Sequence, residues 1–233
     1  MKISIFAIPQ IPLGKRSIKD PRLDQVDNIT KAKKKTYLQV ELVGQENALD
    51  ADAILVSESA RADLILADLE FVETRLERSA QDVEKALLNK LKGILEKEEL
   101  ISKIALSEEE KQLIASYGLH TNKPVIVAKD NELEDSDALF VRALGESGFT
   151  GFFTTGEKET RAWLIRKGTT AWEAAGAIHS DIQRGFIRAE IISFADFIQA
   201  GGETQAKQAG KLRLEQKDYI MQECDLANFR FNK

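Results

Sequence analysis

Residues 152–198 read FFTTGEKETRAWLIRKGTTAWEAAGAIHSDIQRGFIRAEIISFADFI, and their pattern decides the fold of the C-terminal third. Arg161 to Ile165 alternates polar and apolar positions, as a half-buried strand does. Thr170 precedes an alanine-rich run and is placed to cap a helix reaching to about Arg184. Phe186 to Phe194 is a second strand. Farther on, Lys211 to Leu214, Tyr219 to Met221 and Ala227 to Phe231 supply short strands. A strand, a helix and several short strands within about eighty residues predict a small α+β roll.

Upstream, Gly148 and Gly151 mark a boundary, and the pattern before it changes. Lys2 to Ile8, Thr36 to Val43, Ala53 to Ser57 and Pro124 to Ala128 are apolar runs bounded by turn residues, so they read as strands. Between the last two, Leu69, Val72, Leu76, Ala80, Val83, Leu87, Leu91 and Ile94 recur at steps of three and four, the seam of an amphipathic helix. Ser79 and Asp82 offer a break, so one long helix and a helical hairpin both fit. Ser107-Glu108-Glu109-Glu110 has the form of a capping box, and Asp135 to Gly148 reads as one more helix. Strands separated by helices imply a mainly parallel sheet.

The chain has 233 residues, of which 43% are hydrophobic and 30% charged, enough for one large domain or two small ones. No apolar run approaches the roughly 18 residues that span a bilayer. Pro9, Pro12 and Lys15 interrupt any signal-like start. The lone Cys224 cannot form an internal disulfide, so a cytoplasmic location is expected. Two histidines and one cysteine give no metal-ligand spacing, and no metal is expected. Met1 to Phe149 holds 21 basic and 27 acidic residues, and Thr150 onward 12 basic and 11 acidic. The acidic half disfavours strong nonspecific DNA binding.

The quoted stretch, followed by GGE (201–203), AGKLRLEQKDYI (209–220) and FRFNK (229–233), closely resembles the C-terminal TGS domain of the YchF/Obg-like ATPase family. Shorter matches keep the family's order upstream: DPRLD (20–24), DADAI (50–54), LADLEFVETRLER (66–78) and NKPVIVA (122–128). The resemblance implies a reduced Ras-like, P-loop-type α/β sheet with a helical arm (about 60–119) over residues 1–148, then a ubiquitin-like β-grasp (TGS) domain over 149–233. It also implies association with ribosomes, RNA or a small regulatory ligand. The chain is well over a hundred residues shorter than a typical member.

Against that family the nucleotide motifs are degenerate. A phosphate-binding loop needs glycines that let backbone N–H groups approach, a lysine on the phosphates and a hydroxyl on magnesium. Where the family has Gly-x-Pro-Asn-x-Gly-Lys-Ser, residues 7–17 read AIPQIPLGKRS. Ala7 replaces the first glycine, two residues are inserted, and Arg16 follows the lysine. Asp-x-x-Gly aligns with Glu41 to Gly44, and both switch segments are nearly absent. Asn-x-x-Glu aligns with Lys129 to Glu132, and lysine lacks the acceptor of asparagine. Gly14, Lys15 and Glu132 are the residues a remnant nucleotide site would use; an ordinary surface turn is the competing reading of Gly14-Lys15.

Other features are weighed in the same way. His179-Ser180-Asp181 looks like a triad, but neighbours on a helix diverge, so a polar or capping role is expected. Arg184, Arg188, Lys211, Arg213 and Arg230 form either an RNA or anion patch, with Trp163, Phe186 or Tyr219 for stacking, or a surface ion-pair network. Trp172, at a position where the family commonly has proline, is expected in the core. Lys31 to Lys35, with four lysines, is either a phosphate contact or, given the surrounding acids and the strand that follows, a solvated loop. The expected function is a non-catalytic YchF-related protein binding ribosome, RNA or a regulatory ligand, with no cofactor. The alternatives are a residual ATP- or GTP-binding protein or NTPase using magnesium, and a protein-interaction adaptor. No membrane partner is expected, and the sequence leaves the oligomeric state open.

Overall fold

The computed structural model of the chain describes residues 1–78 and 81–232. Along it run β1 (Lys2–Phe6), β2 (Gly14–Ile18), α1 (Pro21–Thr30), β3 (Lys35–Thr36), β4 (Leu38–Gly44), β5 (Ala53–Ser57), α2 (Arg61–Arg78), α3 (Asp82–Leu95), α4 (Glu108–Ile114), β6 (Val125–Ala128) and α5 (Ser136–Glu146). There follow β7 (Phe149–Thr154), β8 (Thr160–Arg166), α6 (Ala171–Ile178), α7 (Ser180–Arg184), β9 (Phe186–Ile192), α8 (Phe194–Ala200), α9 (Glu203–Gln208), β10 (Arg213–Glu215) and β11 (Leu226–Phe231). Two compact units result: Met1–Arg16 with Val40–Leu139, and Ser17–Gln39 with Phe140–Lys233. This grouping is not the linear division at residues 148 and 149, because the segment carrying α1 and β3 belongs with the C-terminal part.

The first sheet has the order β2-β4-β1-β5-β6. β1 runs parallel to β4 and β5, and β5 parallel to β6, as alternating strands and helices predict. All five residues of β5 are buried, which suits a strand covered on both faces. β2 is legible only in retrospect, since GKRSI buries Ile18 alone.

The region after β5 is a hairpin, with α2 and α3 packed on each other. Leu64, Val72, Leu87, Leu88, Leu91 and Leu95 join one core cluster with Ile54 and Val56 of β5. Ser79 and Ala80, one a proposed break and the other a proposed seam position, lie outside the described residues. Val83 departs from the expected seam: it is 71% exposed, because α3 begins at Asp82 with its own phase. Asp68 is buried on α2 and accepts from His120 N–H (2.9 Å) and Thr121 N–H (2.7 Å), fastening the helix to the turn before β6. The Ser107–Glu110 capping box closes in both directions as the sequence implied.

The second sheet has the order β10-β9-β11-β7-β8-β3. β7 and β8 form an antiparallel hairpin, β11 lies parallel to β7, and β9 pairs antiparallel with β11 and β10. With α6 crossing one face, this is a β-grasp. Ala171, Ala174 and Ala175 of α6 pack on Phe152, Ile191 and Phe229, small residues letting the helix approach closely. Thr170 and Glu173 form the predicted cap, but the helix breaks at His179, whose backbone is extended. Trp172 is 43% exposed rather than in the core, because the alanines take the buried stripe of α6. Gly185, closing α7, is required by contact: a Cβ there would lie 2.0 Å from the Asn232 carbonyl oxygen.

The two accounts of α2 and α3 separate by mutation. Leu88→Ala, at a fully buried position, should cost about 2–5 kcal/mol in urea unfolding. Val83→Ala should stay within about 0.5 kcal/mol, and an equal loss at both positions would restore the continuous seam.

Candidate functional site

The segment after β1 is where a phosphate loop would lie. Ala7 takes a left-handed φ of 54°, and the chain then buries Ile8 and Ile11. Ile11 N–H is bonded to Ile8 C=O at 3.2 Å, and Pro9 and Pro12 carry no N–H. Gly14 has φ +114° with open space around its α-carbon, and Lys15 is exposed on β2. No helix follows directly; α1 begins at Pro21, capped by Asp20, whose carboxylate accepts from Arg22 N–H at 2.9 Å.

Arg16, which the sequence reading treated only as a displaced magnesium ligand, donates to Ser136 Oγ at 2.7 Å and lies 3.4 Å from Asp137 at the start of α5. Glu132 accepts from Lys129 N–H at 2.9 Å and so holds the turn after β6. Gly44, at the end of β4, accepts from Ser4 Oγ at 3.3 Å through its carbonyl.

The five cations of the second unit do not form one face. Register pairs Arg188 on β9 with Arg230 on β11, and Glu190 with Asn228, on the sheet face opposite Ala189, Ile191 and Phe229. Buried Glu190 accepts from Arg230 and, at 3.1 Å, from Asn228. Arg213, opposite Ile191, projects to the other face. It donates to Tyr219 Oη at 2.9 Å, and Tyr219 in turn donates to buried Asp225 at 2.8 Å. Burial first, then the Asp225 bond, pushes the Tyr219 hydroxyl up to about 12. Arg184 pairs with Asp181, and Lys211 with Asp196 at 3.0 Å. Of the five, only Arg188 lacks an ion pair among the described residues. His179 caps α7, its Nδ1 accepting from Asp181 N–H at 3.1 Å.

Two of the three stacking candidates are committed elsewhere. Phe186 packs beside Phe229, with ring centroids 6.1 Å apart, and Tyr219 is tied by its hydroxyl. Trp163 lies parallel to Phe152 at 6.4 Å and carries the Arg161 guanidinium 4.0 Å from its ring centroid on a face.

The lysine-rich stretch after α1 belongs to this same unit. Lys31 ends the helix with φ 50°, and Lys33 N–H bonds Glu157 C=O at 3.1 Å. β3 then runs parallel to β8, Lys35 opposite Thr160 and Thr36 opposite Arg161. Asp24 of α1 accepts from Lys35 Nζ at 2.6 Å and from the Tyr37 hydroxyl. Burial pushes the Asp24 carboxyl up, but these two bonds outweigh it and hold the group below the usual carboxylate range.

The family profile described as YchF-GTPase_C, Protein of unknown function (DUF933), matches residues 149–232. The Ribosome-binding ATPase YchF of Pasteurella multocida is 34% identical over 256 residues, covering 83% of this chain and 69% of that protein. The chain belongs to the YchF family. The protein of the same name from Bacillus subtilis is 33% identical over 240 residues, covering 75% of this chain, and the match spans 66% of that relative's length. The solved structure of the Schizosaccharomyces pombe YchF GTPase superposes with a TM-score of 0.73 over 99% of this chain and 97% of that one. Its 21% identity speaks for the fold: a P-loop-type sheet followed by a TGS β-grasp. No helix among the described residues is long and apolar enough to cross a membrane.

The Asp24 cluster sets an acid dependence. Its folded pKa lies below the unfolded value of about 3.9, so its contribution is full above that value and is lost as pH falls through the lowered one. Asp24→Asn should therefore flatten the decline in melting temperature as pH falls below about 4. At pH 7 it should cost at most about 1 kcal/mol, since the pair is partly solvated. A decline as steep as wild type would remove Asp24 from that role.

Proposed function

We propose that this chain is a non-catalytic YchF-related protein that binds the ribosome, its RNA or a regulatory ligand through the TGS domain of residues 149–233. Residues 1–148 serve as a degenerate nucleotide-domain scaffold, and the setting is cytoplasmic. The observation that carries the reading is the closed turn between β1 and β2. A triphosphate needs several converging N–H donors, and between Ile8 and Pro12 two residues are prolines and a third N–H, that of Ile11, is already bonded. Buried Ile8 and Ile11 fill the space below it. Gly14 and Lys15 lie on a strand, where successive N–H groups point to opposite sides instead of converging.

The residues present do not fit a magnesium–nucleotide group. Arg16 takes the place of the hydroxyl that would bind the metal, and it is engaged by Ser136 and Asp137. Glu132 is spent on its own turn. The relatives are named for ribosome binding and for ATPase activity; this reading carries over the first and not the second. No cofactor enters it.

Calorimetric titration with ATP, GTP and their diphosphates, with and without magnesium, should give no micromolar binding. Saturable binding that Lys15→Ala abolishes would overturn the non-catalytic half of the proposal. The chain should co-sediment with ribosomes at low salt and be released as salt rises, because phosphate contacts exchange with counterions. Recovery wholly in the supernatant at low salt would remove the ribosome half.

A further inference from the structure

The charge of this protein is partitioned far more sharply by its compact units than by its linear halves. The unit containing residues 17–39 and 140–233 holds 19 basic and 15 acidic residues, and the other unit 14 basic and 23 acidic. The difference comes chiefly from Lys31, Lys33, Lys34 and Lys35, which fold with the β-grasp. Lys35 is consumed by Asp24. Lys31, Lys33 and Lys34 are exposed, and only Lys34 has an ion pair among the described residues, 3.2 Å from Glu159.

Next to this loop, β3 and β8 pair over only two residues before the chain leaves the edge at Tyr37. A cleft of about 390 Å³ opens there, lined by Lys34, Thr36, Tyr37, Gln39, Arg161 and Trp163. Phe152, Trp163 and Arg161 form a graded stack leading to it: a buried ring, a half-buried ring and a guanidinium that is 39% exposed. The Arg161 Nε is buried without a hydrogen-bond partner, and the Trp163 ring is the contact that orients the guanidinium. The guanidinium is flat and partly exposed, and its Nη1 lies 4.0 Å from Glu159 Oε2.

We infer that this cleft is a single-stranded RNA site, in which an unpaired base stacks on Arg161 and the flanking phosphates follow Lys31, Lys33 and Lys34. The inference rests on the RNA-binding reading above and moves it to a surface other than the five cations read from the sequence. Two observations favour an unpaired strand. A guanidinium plane takes only bases that are splayed out of a helix, and the cleft is at the small end of the range for a compact ligand. The cations also follow one another along a loop at short spacing, which suits a repeating phosphate backbone.

The test uses the full chain with Trp172→Phe, which leaves Trp163 as the only tryptophan. A short single-stranded RNA of mixed sequence should change Trp163 emission saturably, and the same strand annealed to its complement should bind at least about tenfold more weakly. Arg161→Gln should weaken single-strand binding about tenfold, within the range for loss of one stacked base. Arg161→Lys, which keeps charge but not the plane, should weaken it nearly as much. The triple change Lys31→Gln, Lys33→Gln, Lys34→Gln alters exposed side chains only. It should lower the slope of log affinity against log salt by about 2, three contacts at about 0.7 each. Arg188→Gln should leave affinity unchanged. If the wild type binds the RNA and both Arg161→Gln and the triple variant retain its affinity, the site is wrong while the RNA reading stands. If the wild type binds no RNA at all, both fall together.

Discussion

One carboxylate fixes where the lysine-rich loop goes. Asp24, a turn into α1, receives the Lys35 ammonium and the Tyr37 hydroxyl, and so pins both ends of β3 back onto the helix that precedes it. The tie adds to the backbone bonds that also hold the stretch, Lys33 N–H to Glu157 C=O at 3.1 Å and Thr160 N–H to Lys34 C=O at 2.9 Å. With it, two residues become a sixth strand on the β-grasp, Thr36 reaches Glu159, and the Thr30 and Thr160 hydroxyls meet at 2.8 Å. The charge separation, the open edge of β8 and the cleft beside Arg161 all descend from this anchoring.

The N-terminal unit keeps the packing of a nucleotide-binding sheet while its loops take other conformations. Its core is intact: β5 is buried along its whole length and the α2–α3 hairpin shares one cluster with it. The expected nucleotide loops fall between Phe6 and Pro21 and between Gly44 and Ala53. In the first, isoleucines turn inward and the chain goes straight into an added strand. In the second, a 3₁₀ turn leads directly to β5. A fold can lose such loops and keep its stability, because the apolar contacts that hold it lie elsewhere.

Much of this was legible in the sequence, and the gaps have physical causes. The apolar strands β1, β5 and β6, the capping box at Ser107 and the cap at Thr170 were readable because burial and capping leave local signatures. β2 was not, since an edge strand reading GKRSI has no apolar alternation, and β7 was hidden by the glycines that let Leu38 approach Gly151. α8 and α9 were not read at all, since each is a single short stretch, of seven and six residues, with little room for apolar periodicity. Trp172 was misplaced because a large aromatic suggests burial, whereas on α6 the alanines own the inward stripe. The five cations do not share one face, because Arg188 and Arg230 pair on one side of the sheet while Arg213 pairs opposite the core residue Ile191. Arg161 was overlooked as a cation because it sat inside a strand whose apolar members were the ones being read.

Which cations are available matters more than how many there are. Arg230, Arg213, Arg184 and Lys211 each face a carboxylate, and an incoming phosphate would have to displace that partner. Where the partner is buried, as Glu190 is, displacement leaves a charge in a poorly solvated place, which costs several times what a surface pair contributes. In the second unit Lys31 and Lys33 are exposed with no carboxylate partner among the described residues, and the partner of Lys34 is the partly exposed Glu159. Selectivity then has to come from something other than charge, since exposed lysines attract any phosphate chain equally. The one rigid, oriented feature beside them is the guanidinium stacked on Trp163. In the inferred site a loop that attracts and a plane that discriminates would be complementary, and the β3–β8 pairing together with the Asp24 tie brings them to the same edge of one sheet.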